Sequence, residues 1–181
     1  MNNMTKEITY TPDAQKQIER AIVFMIKKIE EHCYNEKPII MHSLRVGSEL
    51  MEFKQEKNIV IAGFLHDLLE DTDCKPKEIE KEFGKKVVRL VLACTSDENI
   101  KDYKERWRKL VSNIKQAGHD AIIIKLIDQI ANLPYYIMIS DKQKKQEVMW
   151  KHRFFIDECQ NNLKELRIFK DYKKMVNENE F

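Results

Sequence analysis

The chain has 181 residues, of which 43% are hydrophobic and 34% charged, and its net charge is +2. This length is enough for one substantial hydrophobic core, and the nearly balanced charge gives no reason to expect nucleic-acid binding. With only four glycines and four prolines, the composition is typical of a compact, largely helical protein. We therefore predict an all-α fold and a single domain over residues 1–181, with a core at about 12–172 and a short polar tail at 173–181.

The expected compartment follows from the apolar runs and the cysteines. No apolar run reaches the length of a membrane span, and no leader peptide is recognisable at Met1. The four cysteines lack the pair spacing of a metal site, so reduced thiols in a cytoplasmic protein are expected. We predict no membrane association, and the sequence leaves the oligomeric state open.

Hydrophobic spacing and capping residues predict helices along most of the chain. Thr11-Pro12-Asp13 combines an N-cap with a proline at the first helical position, and it opens a helix that runs to about Cys33. The segment 121–133 is apolar nearly all round, which is typical of a buried helix, and Pro134 closes or kinks it. The predicted helices span residues 12–33, 39–53, 57–70, 76–83, 85–95, 101–116, 121–133 and 141–172.

One segment, IAGFLHDLLEDTD at residues 61–73, holds four titratable side chains within six residues. His66 falls on or near an apolar helical stripe and is followed directly by Asp67, with Glu70 and Asp71 one turn later. A carboxylate and an imidazole in such a place need compensation, and a bound cation is the strongest compensator available. The alternative is a capped helix end, because Asp71-Thr72-Asp73 is also good turn chemistry.

Two more candidate ligands lie elsewhere in the chain. His42 shares a helical face with apolar residues and points inward. Asp128 lies in the apolar segment 121–133, where Lys125 is the only other charged residue. A buried charge is strongly disfavoured without a partner, so Asp128 needs either a metal ion or Lys125, three residues earlier. The other three histidines are discounted as ligands: His32 at a helix end, His119 in a turn and His152 in a surface or packing patch.

The order of these motifs resembles the HD-domain metal-dependent phosphohydrolases. More narrowly, it is similar to the hydrolase domain of the RelA/SpoT family and its small single-domain relatives. The resemblance covers about Ala14 to Ile139 and implies an all-α HD-domain helical bundle. It also implies a divalent-metal site and removal of pyrophosphate from the 3′ position of (p)ppGpp. The matching segments are PIIMH (38–42), HDLLEDT (66–72), FG (83–84) and KLIDQIAN (125–132), and the implied metal ligands are His42, His66, Asp67 and Asp128.

Two imidazoles and two carboxylates suit a borderline divalent ion with water at its open positions. We expect Mn²⁺, with Fe²⁺ or Zn²⁺ as alternatives, although zinc would lack its distinctive thiolate ligands. Glu70 and Asp71 are placed to take a proton from the bound water or to orient it. Asn132 is interpreted as a hydrogen-bond donor to sugar or phosphate. Lys125 either offsets charge on the leaving pyrophosphate or only pairs with Asp128.

The loop before His42 departs from the family pattern. Family members carry basic residues, a serine and a glycine there, whereas this chain has Cys33-Tyr34-Asn35-Glu36, and Gln129 replaces an arginine. Lys37 and Arg45 are the nearest residues that could restore the positive charge for a nucleotide substrate. The leading prediction is a ppGpp 3′-pyrophosphohydrolase. The alternatives are an HD hydrolase of a different nucleotide phosphate and a non-catalytic module that senses a nucleotide.

Overall fold

The computed structural model describes residues 10–34 and 38–179, and the regular structure within these ranges is helical. An isolated antiparallel bridge joins Cys33 to Thr72. No helix in these two ranges is both long enough and apolar enough to cross a lipid bilayer. The prediction of an all-α fold is confirmed. The helices are α1 (Pro12–Glu31), α2 (Ile39–Glu52), α3 (Lys57–Leu65), α4 (Leu68–Asp71), α5 (Pro76–Phe83), α6 (Lys85–Cys94), α7 (Tyr103–Ala117), α8 (His119–Ile137), α9 (Lys142–Leu163) and α10 (Arg167–Glu178).

The predicted helix at 57–70 is interrupted where the candidate ligands lie. Helix α3 ends at Leu65 and α4 begins at Leu68, so His66 and Asp67 form the turn between them. Asp67 has φ −95° and ψ −7°, close to the sparsely populated bridge region in which many active-site residues are found. A continuous helix was therefore the wrong prediction at these two residues.

Two further predictions, one on the last helix and one on His119, were wrong. The predicted helix at 141–172 divides into α9 and α10, and α10 continues to Glu178, past the expected start of the polar tail. The reason is a second apolar face, because Phe169, Tyr172 and Val176 are all buried. His119 begins α8 and does not lie in a turn, since Gly118, with φ 100°, makes the reversal before it. Of the two outcomes expected at Pro134, closure of the helix does not occur, since α8 continues to Ile137.

The chain divides into two compact units, Met1–Leu92 and Ala93–Phe181. In the first unit, α1, α2 and α3 pack against one another and α4 packs against α1. In the second unit, α8 packs against α7, α9 and α10. The single domain stays a prediction. Fully buried side chains of the first unit include Ala21, Met25, Val46, Leu50, Phe64 and Leu65, and those of the second include Ile114, Ile124, Leu126, Phe155, Leu163 and Val176.

Two glycines allow α2 and α3 to approach closely. A methyl group added at Gly47 would overlap the Phe64 ring, and one added at Gly63 would overlap the Leu50 side chain. These contacts fix the crossing of the two helices, and therefore the placement of His42 on α2 and of His66 at the end of α3.

We expect Gly47→Ala to lower the free energy of unfolding by about 1–3 kcal/mol, the usual cost of overpacking a well-filled core. Ser48→Ala is the matched control, because Ser48 is exposed on the same helix and alanine favours the helix there. Urea denaturation of both variants measures the difference. Equal stability of the two variants would mean that α2 and α3 separate without cost.

Candidate metal centre

One hydrogen bond fixes the tautomer of the neutral His66 ring. His66 is the C-cap residue of α3, and its side chain is 1% exposed. Its Nδ1 lies 2.8 Å from the carbonyl oxygen of Gly63, and a carbonyl only accepts, so Nδ1 carries the proton. In the neutral ring Nε2 is then an unprotonated lone pair. Metal-binding histidines use this arrangement, in which a backbone oxygen orients the ring and fixes its tautomer.

The Nε2 atom of His66 faces two more candidate ligands of the same unit. It lies 3.3 Å from Nε2 of His42 and 3.0 Å from Oδ1 of Asp67, while Oδ2 of Asp67 lies 3.5 Å from Nε2 of His42. Two imidazole nitrogens bound about 2.0–2.1 Å from one ion, at angles between 90° and tetrahedral, lie roughly 2.9–3.4 Å apart. The three side chains therefore fit a common divalent ion.

The side chains of His42 and Asp67 are 15% and 23% exposed, in contrast to the buried His66. The buried His66 ring anchors the cluster, and solvent can reach it at His42 and Asp67. A metal site with open positions for water needs such access. Glu70 and Asp71 follow within α4 and are both half-buried.

Tyr34, in the altered segment before His42, is bonded to the end of α4 and to Asp73 just after it. The Tyr34 amide donates to the carbonyl oxygen of Asp71 at 2.9 Å, and the Tyr34 hydroxyl donates to the Asp73 carboxylate. This bond raises the pKa of Tyr34 and lowers that of Asp73. Thr72 Oγ1 also donates to the carbonyl oxygen of Leu68 at 2.7 Å. Sequence reasoning missed the Tyr34 contacts, because their partners are far apart in the chain.

Of the two basic residues proposed to contact the nucleotide, Arg45 and Lys37, the structure describes only Arg45. Arg45 pairs with Glu49 one turn along α2, with 2.9 Å between Nε and Oε1, and its side chain is 42% exposed. Lys37 lies outside the described residues.

In the second unit, the Asp128 carboxylate is held by residues of its own helix. Nζ of Lys125 lies 2.7 Å from Oδ2, Asn132 Nδ2 donates to Oδ1 at 2.6 Å, and Gln129 Nε2 lies 3.4 Å from Oδ2. Asp128 is 3% exposed. The buried Lys125–Asp128 pair, one of the two interpretations that the sequence allowed, is present. Oε1 of Gln129 is buried and has no hydrogen-bond partner among the residues described.

His152, which the sequence analysis assigned to a surface or packing patch, is a buried polar residue of the second unit. His152 is 0% exposed, its Nδ1 lies 2.6 Å from the Tyr172 hydroxyl, and the Tyr136 ring packs edge-on against it at 5.5 Å between centroids. Burial lowers the pKa of His152 from 6.5 to about 4. The signal was available, since His152 continues the spacing of the buried residues Val148, Met149, Phe155 and Ile156 on α9.

This depressed pKa predicts a loss of stability in acid. As the pH falls below 6.5, the unfolded chain takes up a proton on His152 before the folded chain does, so protonation favours unfolding until the pH nears 4. Between pH 7 and pH 4.5, the wild type should lose about 2 kcal/mol more unfolding free energy than His152→Gln. Urea denaturation at several pH values measures this, with the exposed His119→Gln as control. Identical pH dependence of the wild type and His152→Gln would contradict the prediction.

Comparison with known proteins agrees with these motifs. A family model described as "HD domain" matches residues 21–152. The guanosine-3′,5′-bis(diphosphate) 3′-pyrophosphohydrolase of Aquifex aeolicus is 32% identical over 148 residues, which are 79% of this chain and 21% of that protein. The Drosophila melanogaster enzyme of the same name is 33% identical over 100 residues, 54% of this chain and 55% of that one. The chain thus spans about a fifth of the first relative and about half of the second.

Two solved structures have the same fold. One is described as "A metazoan ortholog of SpoT hydrolyzes ppGpp and plays a role in starvation responses". It superposes with a TM-score of 0.79 at 21% identity, over 94% of this chain and 97% of that one. The other, from Listeria monocytogenes EGD-e, has a TM-score of 0.68 at 21% identity, over 80% of this chain and 99% of that one. The fold and the histidine–aspartate cluster define a helical protein with a candidate divalent-metal site. The chain belongs to the HD domain family.

Proposed function

We propose that this protein is a cytoplasmic, divalent-metal-dependent phosphohydrolase that removes pyrophosphate from the 3′ position of ppGpp. The observation that carries the proposal is the cluster of His42, His66 and Asp67, in which the Gly63 carbonyl accepts from Nδ1 of His66 and so leaves Nε2 as the nitrogen that can bind a metal. The choice of ppGpp as the substrate is supported by the relatives, which are named as ppGpp 3′-pyrophosphohydrolases. The expected partner is a small nucleotide, with no role for nucleic acid or a membrane.

Asp128 is proposed as the fourth ligand. The family match at 21–152 includes it with the other three, and the order of the motifs agrees with this role. Mixed nitrogen and oxygen ligation supports Mn²⁺, with Fe²⁺ or Zn²⁺ as alternatives.

The metal, when bound, polarises a phosphate oxygen and lowers the pKa of a bound water. In the proposed reaction, Glu70 and Asp71 accept the proton of the attacking water or orient it. Their position one turn after Asp67 and their partial exposure support this role. Asn132 carries a second amide hydrogen besides the one it donates to Asp128, and we assign that hydrogen to sugar or phosphate. Arg45 and Lys37 are proposed to contact the nucleotide.

The buried ion pair refines the proposal for Lys125. Its side chain is 9% exposed, and its ammonium lies 2.7 Å from Asp128. Both observations support action on Asp128 rather than on the leaving pyrophosphate.

A second candidate function is hydrolysis of a different nucleotide phosphate. Its support is the loop before His42, where Tyr34 bonds to Asp71 and Asp73 in place of the basic residues typical of the family. A substrate with fewer negative charges depends less on such residues, because each charge-assisted contact contributes about 1.5–3 kcal/mol.

A product assay distinguishes the candidates. Protein of measured Mn²⁺ content is incubated with ppGpp, ordinary nucleoside triphosphates and NADPH, and the products are separated by anion-exchange chromatography. GDP and pyrophosphate from ppGpp alone support the main proposal. Turnover of another nucleotide in preference to ppGpp supports the second candidate. Tight nucleotide binding without any product would leave the non-catalytic sensing module as the function.

A further inference from the structure

We propose that Trp107 is a positioning residue, whose indole ring holds the Lys125 ammonium against Asp128. This inference rests on the proposed role of Asp128 as a metal ligand. It concerns a residue of α7, which lies outside the HD motifs.

The first step is the environment of Lys125. Its ammonium contacts Asp128 at 2.7 Å and lies 5.3 Å from the centre of the Trp107 ring. The whole residue is 7% exposed. A lysine side chain has a flexible four-carbon stem and therefore much rotamer entropy to lose when it is held in one place. A cation near an indole ring is attracted by the partial negative charge of the ring face. The ring therefore restricts where the Lys125 ammonium can lie.

The second step is what holds the ring. Trp107 is 5% exposed, and its Nε1 donates to the backbone carbonyl oxygen of Lys151 on α9 at 3.2 Å. The Lys151 ammonium lies 4.7 Å from the same ring and 4.8 Å from the ring of Tyr103. Trp107, on α7, is thus held by contacts with α8 and α9, and its ring lies near two cations, Lys125 and Lys151.

The consequence concerns the Asp128 carboxylate. Oδ1 is held by Asn132, and Oδ2 is held by Lys125 and at longer range by Gln129, so Lys125 is the closest of the groups that orient Oδ2. Removing a residue that hydrogen-bonds to a metal ligand typically weakens metal binding by about 10–100-fold. Trp107 acts one residue further away, so the lower end of that range applies.

The test compares Mn²⁺ affinities, measured by isothermal titration calorimetry, with melting temperatures recorded in parallel. Trp107→Leu removes the ring and should weaken binding about tenfold, whereas Trp107→Phe keeps a ring and should stay within about threefold of the wild type. Trp150→Leu is the matched control. Trp150 also has cations over its ring, Lys104 and Arg108, but they are not the partner of Asp128.

A double-mutant cycle separates positioning from general destabilisation. If Trp107 acts through Lys125, then Trp107→Leu should have no further effect on Mn²⁺ affinity once Lys125 is replaced by methionine. Equal effects in both backgrounds, or an equal loss in Trp150→Leu, would overturn the inference. If Trp107→Leu fails to fold, fluorinated tryptophan in a Trp150→Phe background weakens the ring face with little change of shape. Unchanged Mn²⁺ affinity would then overturn it.

Failure of the proposed function gives a different result. Wild-type protein that binds no Mn²⁺, or Asp128→Asn that binds it as well as the wild type, would contradict the role of Asp128 itself. Normal wild-type binding together with a normal Trp107→Leu variant contradicts only the inference about Trp107.

Discussion

Replacing Asp67 with alanine is expected to abolish metal binding and hydrolysis together. Asp67 places carboxylate oxygens 3.0 Å from Nε2 of His66 and 3.5 Å from Nε2 of His42, so its loss removes a ligand and a negative charge from beside both imidazoles. Turnover should fall by at least about three decades, because a protein-bound metal can lower the pKa of water from 15.7 to about 7. Metal content by plasma mass spectrometry and initial rates with ppGpp measure the two effects.

The matched control is Asp73→Ala, which removes an exposed acid shortly after the same segment. This variant should keep its metal, since Asp73 bonds to Tyr34 and not to the cluster. Asp67→Ala protein that retains stoichiometric metal would contradict the assignment of Asp67 as a ligand. His66→Gln is a second test of the same expectation, the loss of metal when a ligand is removed. Glutamine keeps much of the volume of the buried ring, so the loss can be assigned to the missing imidazole.

Glu70→Gln is expected to keep the metal and to lose turnover by about two to four decades, the usual contribution of a general base. The amide has nearly the shape of the carboxylate but cannot accept the proton of the attacking water. We expect a fall in kcat with little change in KM, since the substrate would still bind. Asp71→Asn, one residue further along α4, shows whether the two carboxylates share this role.

Metal analysis of the same preparations decides between the two roles of Glu70. If Glu70→Gln also empties the site, Glu70 is a ligand and the division between ligands and proton acceptors is wrong. A variant with full metal and full activity would assign the proton transfer to Asp71 or to solvent.

The sequence predicted the helical class and most helix positions well, because hydrophobic spacing is a local property. Thr11 caps α1 with Pro12 at the first helical position, and 121–133 lies within α8, where most residues are buried. Two of the errors arose where two helices were joined across a break, at His66–Asp67 and between α9 and α10. In both places apolar residues continue on either side, so their spacing gives no sign of the interruption.

What the sequence determined by itself was the set of candidate ligands, since the types and order of His42, His66, Asp67 and Asp128 are sufficient to indicate metal chemistry. Only the structure decided which ring nitrogen of His66 faces the cluster, because the answer depends on the bond from Nδ1 to the Gly63 carbonyl in the last turn of α3. It also decided that Tyr34 bonds to the end of α4 and that Trp107 lies beside Lys125. Contacts between residues far apart in sequence depend on how helices cross, and no local pattern specifies that crossing.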